Sequence, residues 1–291
     1  MFIMTNLTYM KNKFLVLLMT LFVIGCSSDS TTDDSQNTSS TNRIKKIEEI
    51  QNGVVIKTSE YEYNDLGNIS KLTIKDISKF YQTIFNYDSS NKMISWNLKE
   101  YYLSSPSDII QQVNTLEYTN GQITNICIDR KEMYSDVLTN SKDRISQSYS
   151  GLELNSIQHY IQITGSETTE CSEVSTIDTE EFFEYSNGNL MRYEAPGTGF
   201  SEEYYKNEYD QGINYLSSVK PDAFRHSIGS QVSVNNLKKV NVYDSYNDKL
   251  TATIQFENTY DKNNNIVKAV EKYYYVGSTN PSNVTTINYY Y

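Results

Sequence analysis

The chain is poor in the residues that catalytic and metal chemistry most often draws on. Among 291 residues there are two histidines, three cysteines and a single tryptophan. His159 and His226 stand far apart with no second histidine or cysteine at ligand spacing, which excludes the usual zinc arrangements. No Gly-x-Ser-x-Gly elbow and no phosphate-cradling glycine loop occurs, so the common serine-hydrolase and nucleotide signatures are missing. Positive charge is scarce too: 25 basic against 36 acidic residues give a net charge of −11, which opposes binding to nucleic acid or anionic headgroups. Long helical periodicity is absent. The one sustained apolar run, Phe14 to Ile24, is too short to cross a bilayer as a helix.

That run is flanked by Lys11 and Lys13 and closed by Cys26, which makes it an export signal. Met10-Lys11-Asn12-Lys13 suits the start of such a signal better than Met1 does. Val23-Ile24-Gly25-Cys26 resembles a bacterial lipobox. The resemblance implies cleavage before Cys26, acylation of that cysteine, and an outer-membrane lipid anchor facing the periplasm or the cell surface. Ser27 to Asn42 holds only Ser, Thr, Asp, Asn and Gln, and has nothing to bury against its own ordering entropy. It reads as a disordered tether with a root-mean-square span of about 22 Å. Its acids Asp29, Asp33 and Asp34 are similar to the export signals of Bacteroidota surface lipoproteins, although simple solvation explains them equally. The expected layout is a signal over 1–25, a lipidated cysteine and tether over 26–42, and a folded domain over 43–291.

Within the folded domain a single unit recurs: an aromatic pair, a turn rich in Asn, Asp and Gly, then an aliphatic residue. It appears at Tyr61 to Ile69, Phe85 to Ile94, Leu116 to Ile123, Phe183 to Leu190, Tyr243 to Leu250 and Tyr260 to Ile266. Asn-Gly and Asp-x-Gly supply the positive φ angles of tight turns, while Tyr, Phe, Ile and Val suit the pleated surface on either side. The units predict hairpins in series, with turns at Asn64 to Gly67, Asn120 to Gly121, Asn187 to Gly188 and Asn263 to Asn265. They resemble the YD repeats of the RHS family. Together with the lipobox, the tyrosine-rich series looks like a Bacteroidota lipoprotein family of unknown function with a porin-like barrel fold. The resemblance runs from about Arg43 to Tyr291, but the uneven gaps between units depart from an RHS array and argue against a self-cleaving RHS shell.

From Ala252 to Tyr260, Ala252, Ile254, Phe256 and Tyr260 share one face and Thr253, Gln255, Glu257 and Thr259 the other, as in a half-buried strand. Val267 to Tyr275 carries Glu271 opposite Lys268 and Lys272, and Val54 to Tyr63 carries Glu60 and Glu62 opposite Lys57, so neither strand offers lipid an uncharged face. The predicted fold is therefore one all-β domain, an antiparallel up-and-down meander of about 13–16 strands curled into a closed or nearly closed soluble barrel. Two small domains are the alternative. Its only membrane contact is expected to be the acyl group. Pro221 to Ser230 reads as a short helix between strands.

Candidate sites are few. Cys127 and Cys171 can cross-link in an oxidising compartment or serve as small buried residues, and nothing local aligns them. Alternation is read as placing His159 opposite the isoleucine-flanked side of its strand or at its rim, as a hydrogen-bonded strand residue. Asp261-x-Asn263-x-Asn265 copies part of a calcium loop but lacks its glycine and bidentate glutamate, so it reads as a turn. Glu180, Glu181, Glu184, Glu202 and Glu203 could hold a glycosidase pair or form a solvated face. The 26 tyrosines suit a broad, shallowly buried sheet. Some could instead stack on sugars, the candidates being Trp96, Tyr204, Tyr205, Tyr209, Tyr215 and Tyr273 to Tyr275. No cofactor, metal or catalytic residue is expected. The role is a non-catalytic surface binding or structural module, with a glycan-binding module and a carboxylate hydrolase as alternatives, and the partner a protein or polysaccharide. Cys26→Ser should abolish incorporation of labelled fatty acid and leave an uncleaved precursor; equal labelling of the variant would remove the lipoprotein reading.

Overall fold

The computed structural model describes residues 43–291 apart from 136, 152, 162–169, 196–202 and 220–232. The signal, Cys26, the tether, Glu202, His226 and the helix expected over Pro221 to Ser230 all lie outside the described residues. Sixteen strands follow one another. The first eight are β1 (Lys46–Gln51), β2 (Val54–Tyr63), β3 (Ile69–Asp76), β4 (Lys79–Tyr87), β5 (Met93–Tyr102), β6 (Ser105–Thr119), β7 (Gln122–Tyr134) and β8 (Val137–Ser150). The rest are β9 (Glu153–Ile161), β10 (Thr176–Ser186), β11 (Asn189–Ala195), β12 (Glu203–Ile213), β13 (Asn235–Asp244), β14 (Lys249–Tyr260), β15 (Ile266–Tyr275) and β16 (Asn283–Tyr290). Each pairs antiparallel with its sequence neighbour, and β1 pairs with β16 from Lys46↔Tyr290 to Ile50↔Thr286, closing the barrel. Among the described residues the only helical pieces are 3₁₀ turns at Cys171–Glu173 and Tyr215–Ser218.

The predicted turns are present. Asn120–Gly121 and Asn187–Gly188 hold both residues at positive φ, 53° and 83° in the first pair and 53° and 72° in the second. That is the backbone twist a two-residue hairpin between right-twisted strands needs. The longer turns are tied by an acid or amide side chain. Asn64 Oδ1 accepts from the amides of Leu66 and Asn68 at 3.1 and 2.9 Å, and Asp261 Oδ1 from those of Asn263 and Asn265 at 2.8 and 2.9 Å. The calcium-like stretch is thus a self-bonded turn, and those bonds hold the Asp261 carboxyl below its ordinary range.

These turns share one end of the barrel, the entry end, where the chain comes into β1. Of the six sequence units, Tyr243 to Leu250 is the exception: it forms the β13–β14 turn at the opposite, far end. At the entry end the units interlock. Tyr63 donates to the Ile44 carbonyl (2.7 Å), Tyr87 to Ile69 (2.6 Å), Tyr118 to Met93 (2.6 Å), Tyr209 to Leu190 (2.6 Å) and Tyr291 to Ile266 (3.1 Å). Each phenol reaches back to the aliphatic residue that opens the preceding hairpin, and all five acceptor residues are buried. A register shift accompanies Tyr63, Tyr87, Tyr118 and Tyr209 at that step of the ladder. Such bulges re-aim a side chain at the rim of a barrel, and here they turn the ring inward over the aliphatic plug.

Side chains point in or out with period two. Ala252, Ile254 and Phe256 are buried while Gln255, Glu257 and Thr259 are exposed, as the alternation predicts. The outer wall is polar: Lys71–Glu62 (2.8 Å), Lys142–Asp129 (3.1 Å), Arg192–Glu194 (2.9 Å) and Lys239–Glu208 (3.0 Å) lie around it on separate strand pairs. A wall carrying charge at mid-strand has no apolar belt to offer a bilayer. Inside, one apolar cluster packs β1 to β7 with β15 and β16, and a second packs β9 to β14. Sixteen strands enclose more width than wall side chains fill. The segment that follows β12 therefore enters the lumen at 215–219, and its Tyr215, Leu216 and Val219 complete the first cluster, with Tyr215 lying 5.0 Å from the Tyr289 ring.

Cys127 on the outer face of β7 is joined to Cys171 of the 3₁₀ turn, with Cα atoms 5.8 Å apart. The second cysteine comes from the β9–β10 connection and not from a strand. Tyr87→Phe should cost about 1–2 kcal/mol in urea unfolding, since it leaves a buried carbonyl without its donor, whereas Tyr246→Phe on an exposed turn should stay within about 0.5 kcal/mol.

Candidate functional site

The inner wall toward the far end differs from the apolar middle: it is lined by acids, bases and phenols. Alternation along β1 and β2 turns Glu49 and Lys57 inward, where they form an ion pair. Lys79 on β4 pairs with Glu100 on β5, and Arg130 with Glu132 within β7, all on inward positions. These bonds fall along the rim of the lumen, where partial hydration lowers the cost of holding charge.

On the other side of the lumen, His159 Nε2 lies 2.9 Å from Glu181 Oε1, and Tyr193 donates to Glu181 Oε2 at 3.1 Å. One step round the wall Tyr205 donates to Glu203 at 2.9 Å. The rings of Phe183, Tyr193 and Tyr205 stack in succession at 5.3 and 5.6 Å, because β10, β11 and β12 place them opposite one another in register. Burial first, and then the adjoining carboxylates, hold the Tyr193 and Tyr205 phenols well above their ordinary range, so both remain protonated donors. Burial also raises Glu203; the Tyr205 bond opposes the rise and Asp244 adds to it.

The position expected for His159 is corrected here. It shares the inward face with Ile157 and Ile161, because all three have the same parity along β9, and it pairs with Glu181 inside the lumen. Of the five acids considered as a hydrolytic pair, Glu181 and Glu203 point inward, Glu180 and Glu184 outward. The two inward acids stand on strands separated by β11, and each is engaged by a phenol. Among the described residues no group of three potential metal ligands comes together.

The stacking candidates separate by location. Trp96 is packed in the first core cluster opposite Phe85. Tyr204 faces outward with its ring covered by Tyr243, parallel at 4.9 Å, and by the Arg192 guanidinium at 4.4 Å. Tyr205 and Tyr209 are held inside by the bonds described, and Tyr215 belongs to the inserted segment. Tyr273 and Tyr275 stand at the far mouth, edge to face at 5.1 Å, and Tyr275 is 56% exposed.

The most perturbed acid was not among the sequence candidates. Glu271, 6% exposed, points inward from β15 between Phe256 and Thr285, and its Oε2 has no hydrogen-bond partner among the described residues. Burial lifts its carboxyl to about 8; Glu49 pushes the same way and Lys57 opposes. The signal was present in the sequence, since Glu271 is the one acid on the face that also carries Ala269, Tyr273 and Tyr275.

No protein-family profile matches the sequence, and no curated protein matches it. Solved structures do. The crystal structure of a porin-like protein from Bacteroides vulgatus ATCC 8482 aligns over 86% of this chain and 98% of its own at 10% identity, with a TM-score of 0.52. One of a porin-like protein from Bacteroides uniformis ATCC 8492 aligns over 86% and 97% at 12% identity, with a TM-score of 0.41. At such identity the likeness is one of fold, a sixteen-strand barrel.

Glu271 also sets a pH dependence. In the unfolded chain it loses its proton near pH ~4.3, in the folded one not until about 8. The folded state holds the extra proton in between, so stability is greatest at the acid side of that window and falls as pH rises through it. From pH 5 to 9 the unfolding free energy should drop by on the order of 3–5 kcal/mol, and Glu271→Gln should flatten that slope.

Proposed function

We propose that the protein is a lipid-anchored cell-envelope protein whose barrel is a non-catalytic binding module, with the far mouth of the lumen as its site and a polysaccharide as its ligand class. The observation that carries this reading is the combination at that mouth of exposed aromatic surface, Tyr275 against Tyr273, with inward carboxylates and ion pairs. A ring face stacks on the apolar side of a sugar while carboxylates accept its hydroxyls. The lipobox-like Cys26 and the polar stretch after it supply the anchor and tether. The porin-like neighbours are consistent with an envelope barrel, but charge on the outer wall favours a module held beside the membrane over one that spans it.

A hydrolase has less support. Among the described residues Glu181 and Glu203 are engaged by Tyr193 and Tyr205 and Glu271 is buried, so none of these three acids is free to face a partner across a sugar-sized gap. On a polysaccharide array the chain should be retained, with retention lost in the Tyr273→Ala, Tyr275→Ala double variant and kept in Tyr246→Ala. An array inert to the unaltered protein would leave a structural or protein-binding role.

A further inference from the structure

The two ends of the barrel have opposite tips. At the entry end the described tight turns are built from Asn, Asp, Gly, Ser and Lys, with Leu66 in a turn and Ile213 at the end of β12 as exposed aliphatic exceptions. At the far end each of six hairpins carries an exposed large apolar side chain at or next to its tip: Val54, Ile77, Leu103, Val137, Tyr246 and Val276. Ile77 is 74% exposed, Val137 62% and Tyr246 75%. Turn tips of a water-facing barrel have no packing reason to be apolar, and here, among the described residues, they line the mouth on six of the eight far-end connections.

We propose that this ring docks on a lipid surface, its tips dipping into the headgroup layer. It rests on the anchored reading above for the nearness of a membrane, and because a seated rim turns the mouth toward the bilayer, the polysaccharide site is open in the undocked state. Three features favour lipid over a protein partner. The apolar groups are spread over six separate hairpins around a rim, single at Ile77 and Tyr246 and paired at Val54–Val55 and Val137–Leu138, an arrangement that a soft interface accommodates without the single complementary core that protein docking needs. Tyr246, and the exposed Tyr102 and Tyr134 at the same end, add amphipathic rings of the kind that settle at a membrane–water interface. Behind the tips lies the charged wall, which limits insertion to the headgroup depth of about 5–10 Å.

The chain outside the barrel permits this orientation. The tether joins at the entry end, so docking the far end on the anchoring bilayer means that the tether runs back along the wall. A wall of ten-residue strands such as β15 is about 25–30 Å high once tilted. Ser27 to Asn42 reaches about 55 Å when extended.

The test uses the full lipid-bearing chain in phosphatidylcholine vesicles with brominated acyl chains. Trp96, the only native tryptophan, is buried in the core and gives a constant background. Ile77→Trp emission should at least halve relative to unbrominated vesicles, while Leu66→Trp, at a 71% exposed tip of the entry end, should be unchanged. A chain that floats with the vesicles and shows no quenching at Ile77→Trp, or equal quenching at Leu66→Trp, overturns the rim proposal alone. A chain that does not float removes the rim and the anchor together. Quenching at Ile77→Trp that survives Cys26→Ser would uphold the rim and show that it docks without the anchor. A vesicle-free doubling of mass lost on Ile77→Ser and Tyr246→Ser would replace lipid by a second copy.

Discussion

The ladder between β1 and β16 is the constraint on which the rest depends. An open sheet of this length would expose two rows of unpaired backbone groups, and closure pairs them. It also fixes parity for the whole wall, because once the first and last strands are in register each residue is committed to the lumen or to the outside. A slip of one residue anywhere would bring Glu257 or Lys272 into the core and put Ile254 or Ala269 in water. The burial of side chains such as Ile126, Ile157 and Ile254 holds the register, and the register in turn makes that burial possible.

Closure leaves two ends, and the sequence treats them differently. At the entry end, the phenol of one hairpin is tied to the carbonyl that opens the hairpin before it, so neighbouring units are joined by more than the strand ladder. The bond asks for tyrosine specifically: phenylalanine would fill the space without reaching the carbonyl. This accounts for five of the 26 tyrosines without any ligand. The same end is filled from within by Tyr215, Leu216 and Val219. The far end is left with polar pairs inside the mouth and apolar groups on the rim.

Among the described residues the lumen holds the ion pairs Glu49–Lys57, Lys79–Glu100 and Arg130–Glu132, Glu203 is bonded to a phenol, and Glu271 Oε2 has no hydrogen-bond partner. Placing a second carboxyl near the Glu49–Lys57 pair leaves one base for two acids, and low polarity resolves the excess by keeping the more buried acid protonated. The inner wall therefore carries a proton-linked group without a catalytic partner.

How much of this was legible follows from the length scale of each feature. The sequence by itself determined the all-β class, the turn positions and the dry and wet faces of β14, because tight turns and period-two alternation depend on residues a few positions apart. It also determined that the outer wall would be charged. It did not determine which end each hairpin belongs to, so Tyr243 to Leu250 was grouped with units at the opposite end. His159 was misassigned although its parity with Ile157 and Ile161 was available. The joining of Cys127 to Cys171 on the outside, the burial of Trp96, the covered ring of Tyr204 and the raised carboxyl of Glu271 were decided only by the tertiary structure. Each depends on groups brought together across the lumen or around the wall by closure, and no local pattern encodes which strands face each other there.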